Sequence, residues 1–302
     1  MIFLVERKDL DIVKYDNCIE NSLQGNIFVF SWYLDIACDN WSVLVLEDYI
    51  AVMPLPWRKK LGIKYVYPPL WVLQLGVFST EVVDENEFLI EVFHEFKYVE
   101  QRTNSKNSFS MFEKFQLEKT MQVLSLETNY DTIFRNYNRN RKRELKKAQE
   151  FDLVEKWNDA PENLIELFKQ NVGKRLGKGI RERDYNNLFQ LIKICKCEKK
   201  GEVLSIYDKN NQLVSSAFFV KLKNRVTEVV CSSDFSNRSN GANTFMNDRA
   251  IFKYQPHFKI FDFGGSSMKN IAKYYRSFGA TDEKYIHLHY NNLPKILRLF
   301  KR

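Results

Sequence analysis

Three strand-like runs separated by very short connections constrain this chain more than any other feature. They are Glu202–Tyr207, Gln212–Leu222 and Val226–Ser232, joined by Asp208-Lys209-Asn210-Asn211 and Lys223-Asn224. A parallel pair needs a crossover of roughly a dozen residues, so connections this short predict an antiparallel meander. After it the pattern predicts a helix from about Asn240 to Tyr254, a strand Lys259–Phe263, a helix Met268–Phe278, a strand Lys284–His289 and a closing helix Leu293–Phe300. Strands that alternate with helices imply an α/β fold with mixed sheets.

Upstream, Leu153–Lys156 reads as a strand, Pro161–Val172 as a helix capped by Asp159, and Asp184–Cys195 as another helix. Before them, Ile133, Phe134, Tyr137, Leu145 and Ala148 mark one long helix over Tyr130–Glu150. Its polar face is basic: Arg135, Arg139, Arg141, Lys142, Arg143, Lys146 and Lys147 fall within thirteen residues, with Glu144 the only acid among them. A solvated face normally mixes signs, because like charges three or four residues apart repel. The helix either binds an anion or is simply basic, and Arg139 and Arg143 are its candidate substrate contacts.

The first half opens with a strand at Met1–Val5, an aromatic entry into a helix over Asn26–Cys38, and a hairpin of Ser42–Glu47 and Tyr49–Pro54. Pro54, Pro56, Pro68 and Pro69 remove ladder donors, so they predict edge strand or ordered loop, with Tyr67 as a candidate cleft wall. Glu85–Val99 has helical spacing; Ser108–Phe115 and Met121–Leu126 read as strands. At 302 residues the chain exceeds what one core usually serves. Two lobes are expected, over residues 1–128 and 129–302.

A net charge of +8 favours an anionic partner, whether a nucleotide-bearing cofactor, a phosphorylated sugar, tRNA or an acidic membrane surface in peripheral contact. Five scattered cysteines suit a reducing, cytoplasmic compartment. Neither Cys195-Lys196-Cys197 nor His287-Leu288-His289 has the ligand set of a metal site. The opening apolar run is cut off by Glu6-Arg7-Lys8-Asp9, and no run reaches the ~18 apolar residues of a spanning helix.

Phe261-Asp262-Phe263-Gly264-Gly265-Ser266-Ser267 ends a strand with two glycines and two hydroxyl residues. Asp262 there either orients an amine and takes its proton or caps the next helix. Arg238-Ser239-Asn240-Gly241-Ala242-Asn243 opens a helix where free amides suit a pyrophosphate, or else it is only a turn. Lys273-Tyr274-Tyr275-Arg276 precedes the helix breaker Gly279, with Lys273 and Arg276 as candidate substrate contacts.

These parts, in this order, resemble the FemAB-like branch of the GNAT superfamily. The likeness is carried by the basic helix Tyr137–Ala148, by Val172-Gly173-Lys174-Arg175, by Phe261-Asp262-Phe263-Gly264-Gly265 and by Tyr274-Tyr275-Arg276-Ser277-Phe278-Gly279. More loosely, Pro54-Leu55-Pro56, Tyr67-Pro68-Pro69 and Gln74-Leu75-Gly76 are similar to the family's first lobe. The resemblance implies two GNAT-like acyl-CoA N-acyltransferase lobes in tandem and transfer of an acyl or aminoacyl group onto an amine. Donors would be acyl-CoA, acetyl-CoA first among them, held by Arg238, Asn240, Gly241, Ala242 and Asn243, or aminoacyl-tRNA. The acceptor would be a small amine, a sugar nucleotide or a cell-wall precursor, with Asp262 and Tyr275 as the catalytic candidates and no metal. Tyr275 stands where the family often has Lys. That departure leaves open a catalytically idle binding protein.

Overall fold

The computed structural model describes residues 1–176, 179–236, 238–264 and 268–298, without the side chains of Arg238 and Ile296. The chain forms two compact units, one of residues 1–119 with 284–302 and one of residues 120–283. The sequence predicts residues 1–128 and 129–302; here residues 284–302 go with the first unit.

In the first unit Ile2–Glu6, Trp41–Leu46 and Ala51–Lys60 pair antiparallel in chain order. Pro54 and Pro56 lie inside Ala51–Lys60, opposite Val43 and Trp41. The other side of that strand is paired only at Ala51–Val52 and Trp57–Lys60, so the prolines occupy its open stretch. The expected helix Glu85–Val99 stops at Glu95, and the residues beyond it form a strand, Tyr98–Arg102. That strand runs parallel to Ile63–Val66 and antiparallel to residues 287–291. Phe88, Leu89 and Val92 of the helix pack on Leu44, Met53, Val66, Val99 and Leu288. Ser110–Phe115 is a 3-10 turn, not a strand, and the strand after it is longer than expected, Gln116–Ser125.

The second unit is the meander with its flanks. Val154–Trp157, Gly201–Tyr207, Leu213–Leu222 and Arg225–Ser233 pair antiparallel in that order. Ile260–Asp262 then joins Arg225–Thr227 in parallel and residues 123–125 antiparallel. Helices Pro161–Phe168 and Glu182–Cys197 cover one face of the sheet. On the other face the helices Arg139–Glu150, Ala242–Tyr254 and Lys269–Arg276 share a core with Ala217, Phe219, Val226, Phe261 and Phe263.

The long helix expected over Tyr130–Glu150 is two, Tyr130–Arg135 and Arg139–Glu150. Asn129 and Asn138 each cap one by accepting a backbone N–H three residues on, which lets the chain restart at Asn138. Asp159 does not cap the helix after it; Ala160 holds that position, and Asp159 accepts from the Tyr207 hydroxyl at 2.6 Å and from Asn163 at 3.0 Å. That helix ends in a π-turn, Lys169–Gly173. Among the described residues no helix is long and apolar enough to cross a membrane.

Candidate active site

The strand Arg225–Ser233 carries the decisive irregularity. Its register against Leu213–Leu222 runs Thr227↔Val220 and Glu228↔Phe219, then jumps to Val230↔Phe218 and Cys231↔Ala217. Val229 is therefore the extra residue of a β-bulge. Side chains alternate along a regular strand, so residues 228 and 231 would face opposite ways. The bulge resets the alternation and turns both Glu228 and Cys231 toward the face of Phe219 and Ala217, where Lys269–Arg276 packs. Pairing with Ile260–Asp262 stops at Thr227, so the bulged stretch has no strand partner on that side.

Glu228 is 3% exposed. Among the described residues its Oε1 accepts from the Tyr275 hydroxyl at 3.3 Å and its Oε2 has no hydrogen-bond partner, and the Cys231 thiol is close enough to act on the carboxyl. Burial pushes this carboxyl up to about 7, against the pull of Cys231 and Tyr275 and with a smaller push from Asp262. Burial first, and then the Glu228 charge, raise the Cys231 thiol and the Tyr275 phenol. A buried carboxyl that titrates near neutrality, with one oxygen unpaired, is equipped to take a proton from an amine at physiological pH. Tyr275 also stacks on Phe263, with ring centroids 4.5 Å apart. Where the family often has Lys, this chain therefore has a phenol that donates to a carboxylate.

Ring contacts lead from Tyr275 toward the basic helix. Beside Tyr275, at 5.5 Å, is the Tyr274 ring. The Arg141 guanidinium stacks on that ring at 4.4 Å and donates to the Thr244 hydroxyl at 2.5 Å, in the first turn of Ala242–Tyr254. Arg141 Nε is buried without a hydrogen-bond partner, and Arg141 has no acidic partner among the described residues. The basic helix and the helix start, far apart in sequence, are thus neighbours.

The other sequence candidates fall in different places. Asp262 is buried on the opposite face of the sheet from Phe261 and Phe263, with Arg225 Nη2 at 2.9 Å, and Arg225 also reaches Glu283 at 3.1 Å. Burial raises the Asp262 carboxyl, and Arg225 opposes this. Asp262 Oδ1 accepts from Gly264 N at 2.9 Å, closing the strand-end turn. Asp262 and Tyr275 are therefore not a pair. Gly265, read as part of the turn, and Ser266 and Ser267, read as suited to cap the next helix, lie outside the described residues.

At the helix start Asn240, Gly241 and Ala242 are buried. Asn240 Oδ1 accepts from Ala242 N at 2.9 Å, and Asn243 O accepts from Asn247. Gly241 has φ +80°, and a Cβ there would sit 2.2 Å from the Glu144 carbonyl oxygen. Glycine is what lets the two helices approach so closely. The side chain of Arg238 is outside the described set. Arg139, Arg143 and Lys273 are exposed. Arg276, also exposed, pairs with Asp282 through Nε at 2.9 Å. Tyr67, in the first unit, is buried; its hydroxyl accepts from Asp39 N at 3.0 Å, and the Arg58 guanidinium lies 3.8 Å from its ring centroid.

Sequence reasoning missed Glu228, Cys231, Tyr274 and Arg141. A signal existed for two of them. Glu228 is an acid two residues from Val226 inside an apolar strand, and Arg141 stands four and seven residues before Leu145 and Ala148, on the apolar face of its helix.

No protein-family model matches the sequence, and no curated protein matches it. Among solved structures, FemX is similar with a TM-score of 0.64 at 10% identity, over 97% of this chain and 98% of that one. The C-terminal domain of a putative lysylphosphatidylglycerol synthetase from Agrobacterium fabrum is similar with a TM-score of 0.59 at 10% identity, over 96% and 94%. A tandem GNAT protein from the clavulanic acid biosynthesis pathway is similar with a TM-score of 0.56 at 9% identity, over 98% and 100%. Likenesses this distant in sequence speak for architecture alone. The chain has the fold of FemX and of the tandem GNAT protein.

Proposed function

We propose that this protein is an acyltransferase that moves an acyl group from a phosphate-bearing donor to an amine, with Glu228 as the proton acceptor. The observation that carries this reading is the buried Glu228 carboxyl, with one oxygen unpaired among the described residues, linked through Tyr275 and the Tyr274 ring to Arg141 and Thr244. An amine is nucleophilic only after losing a proton, and a carboxyl matched to neutral pH accelerates that loss by roughly 10²–10⁴-fold. The resemblance of the sequence runs to the FemAB-like branch points to the same reaction class, and the fold shared with FemX and a tandem GNAT protein is compatible with it.

Two donors fit the resemblance. Acyl-CoA, such as acetyl-CoA, would place its phosphates near Arg141 and Asn243. Aminoacyl-tRNA is favoured by a separate observation: Asn240, Gly241 and Ala242 are covered by the basic helix, whereas Arg139 and Arg143 are exposed on it. That arrangement suits a long polyanion lying along the helix better than a pyrophosphate seated on amides 241 and 242. Calorimetric titration with acetyl-CoA, and tRNA binding measured across a salt series, test the proposal. Binding of tRNA that weakens steeply with salt supports the second donor; saturable acetyl-CoA binding that Arg141→Ala abolishes supports the first. If neither donor binds, the proposal fails.

A further inference from the structure

Cys231 has no assigned part in that reading, yet its thiol shares a sheet face with the proposed base. The β-bulge at Val229 places its thiol on the face of Glu228, and the Tyr275 hydroxyl is within reach of both. The other cysteines lack this setting. Cys18 faces two backbone carbonyls, Cys38 and Cys195 are buried, and Cys197 is exposed. Cys231 as a residue is only partly buried. The second, independent observation is Glu228 Oε2, a polar atom of a side chain more than nine-tenths buried that no group among the described residues satisfies. Buried polar atoms are nearly always paired, and one left free beside a thiol is free for a proton that moves during reaction. A thiol and a base within hydrogen-bonding reach are the parts nucleophilic catalysis requires.

We propose that Cys231 carries the acyl group between donor and amine, an inference that rests on the acyltransferase reading. In the first half-reaction Cys231 Sγ bonds to the acyl carbon as the bond from that carbon to the donor's sulfur or oxygen breaks. The thiol proton passes to the Glu228 carboxylate and from there to the departing donor atom. In the second the amine attacks the thioester, the amide bond forms and the carbon–sulfur bond breaks. The amine's proton passes through Glu228 back to Sγ, so that thiol and carboxylate end as they began.

p-Nitrophenyl acetate tests the relay without a cognate donor, using full-length protein in a Cys197→Ser background so that no fully exposed thiol competes. The expected result is one acetyl group, mapped to Cys231 by mass spectrometry of peptides, removed by hydroxylamine and transferred to added glycinamide. Glu228→Gln should slow this acylation by roughly 10²-fold or more, and Cys231→Ala should abolish both label and burst. Circular dichroism and Cys231→Ser, which should react slowly to an oxygen ester, separate lost chemistry from lost folding. Absence of acetyl from Cys231 overturns the relay, as does an unchanged rate in Glu228→Gln or an undiminished transfer to glycinamide in Cys231→Ala. Transfer that survives Cys231→Ala but not Glu228→Gln removes the relay and leaves the proposed function standing; transfer that survives both removes both.

Discussion

Glu228→Gln changes the stability of the second unit in a way that depends on pH, and the sign follows from the direction of the shift. Burial disfavours the charged form and pushes this carboxyl up to about 7 in the fold from its ordinary 4.5. A group whose folded pKa is raised contributes stability that is fully present below its unfolded pKa and is lost as pH rises through the folded one. Wild type therefore pays an increasing penalty from about pH 4.5 to pH 8 that the amide, always neutral, does not. A difference of roughly 2.5 pKa units corresponds to about 3 kcal/mol at the alkaline end. For a unit of this size that is about 6–12 °C in Tm. Differential scanning calorimetry of both proteins at steps from pH 4.5 to 8.5 reads it, and comparing variant with wild type largely cancels other carboxyls such as Asp262 and Asp248. The expected result is equal Tm values near pH 4.5 and a growing advantage for the variant above pH 6. A difference that stays flat with pH, or a variant that becomes the less stable one in alkali, would refute the burial argument and the role built on it.

Tyr275→Phe removes a hydroxyl that favours the ionised form of Glu228. The acid limb of the pH–rate profile of transfer should move to higher pH, and a limb that stays in place would show that the two groups do not interact. Asp262→Asn should cost about 3 kcal/mol in urea unfolding, because Arg225 loses a buried partner, while turnover per folded molecule changes little. Turnover lowered 10²-fold at unchanged stability would restore Asp262 to the catalytic role suggested by its strand end. Gly241→Ala should destabilise by roughly 2–5 kcal/mol, since a left-handed φ and a contact against the Glu144 carbonyl add; an unchanged denaturation midpoint would mean the helices separate easily.

The meander was legible because its connections are too short for any other pairing, and the basic helix because its charges are of one sign. The bulge was not, since it exists only in the register between two strands, and neither strand's alternation alone reveals a shift set by the partner. Without it, Cys231 reads as facing away from Glu228. Asn138 is a capping residue in the middle of a helical pattern, a stop signal that apolar spacing at Tyr137 and Leu145 obscured. Tyr98 and Val99, the start of the strand Tyr98–Arg102, fall within the expected helix because Phe96 and Val99 fit both periods over so short a run. Asp262 was placed on the correct strand and the correct face, away from Phe261 and Phe263. Its partner Arg225, nearly forty residues earlier, could not be read from the sequence.

The first unit is assembled from both ends of the described chain, with residues 287–291 closing on Tyr98–Arg102 and Leu288 completing its core. On the ribosome that unit must wait for its last strand until all of residues 120–283 have been made. At ~5–20 residues per second the delay is roughly 8–33 s. Throughout it, Tyr98–Arg102 presents an unpaired edge to the crowded cell. A nascent chain held in that state is a client for holding chaperones, and a stop codon shortly after residue 283 would make the state permanent.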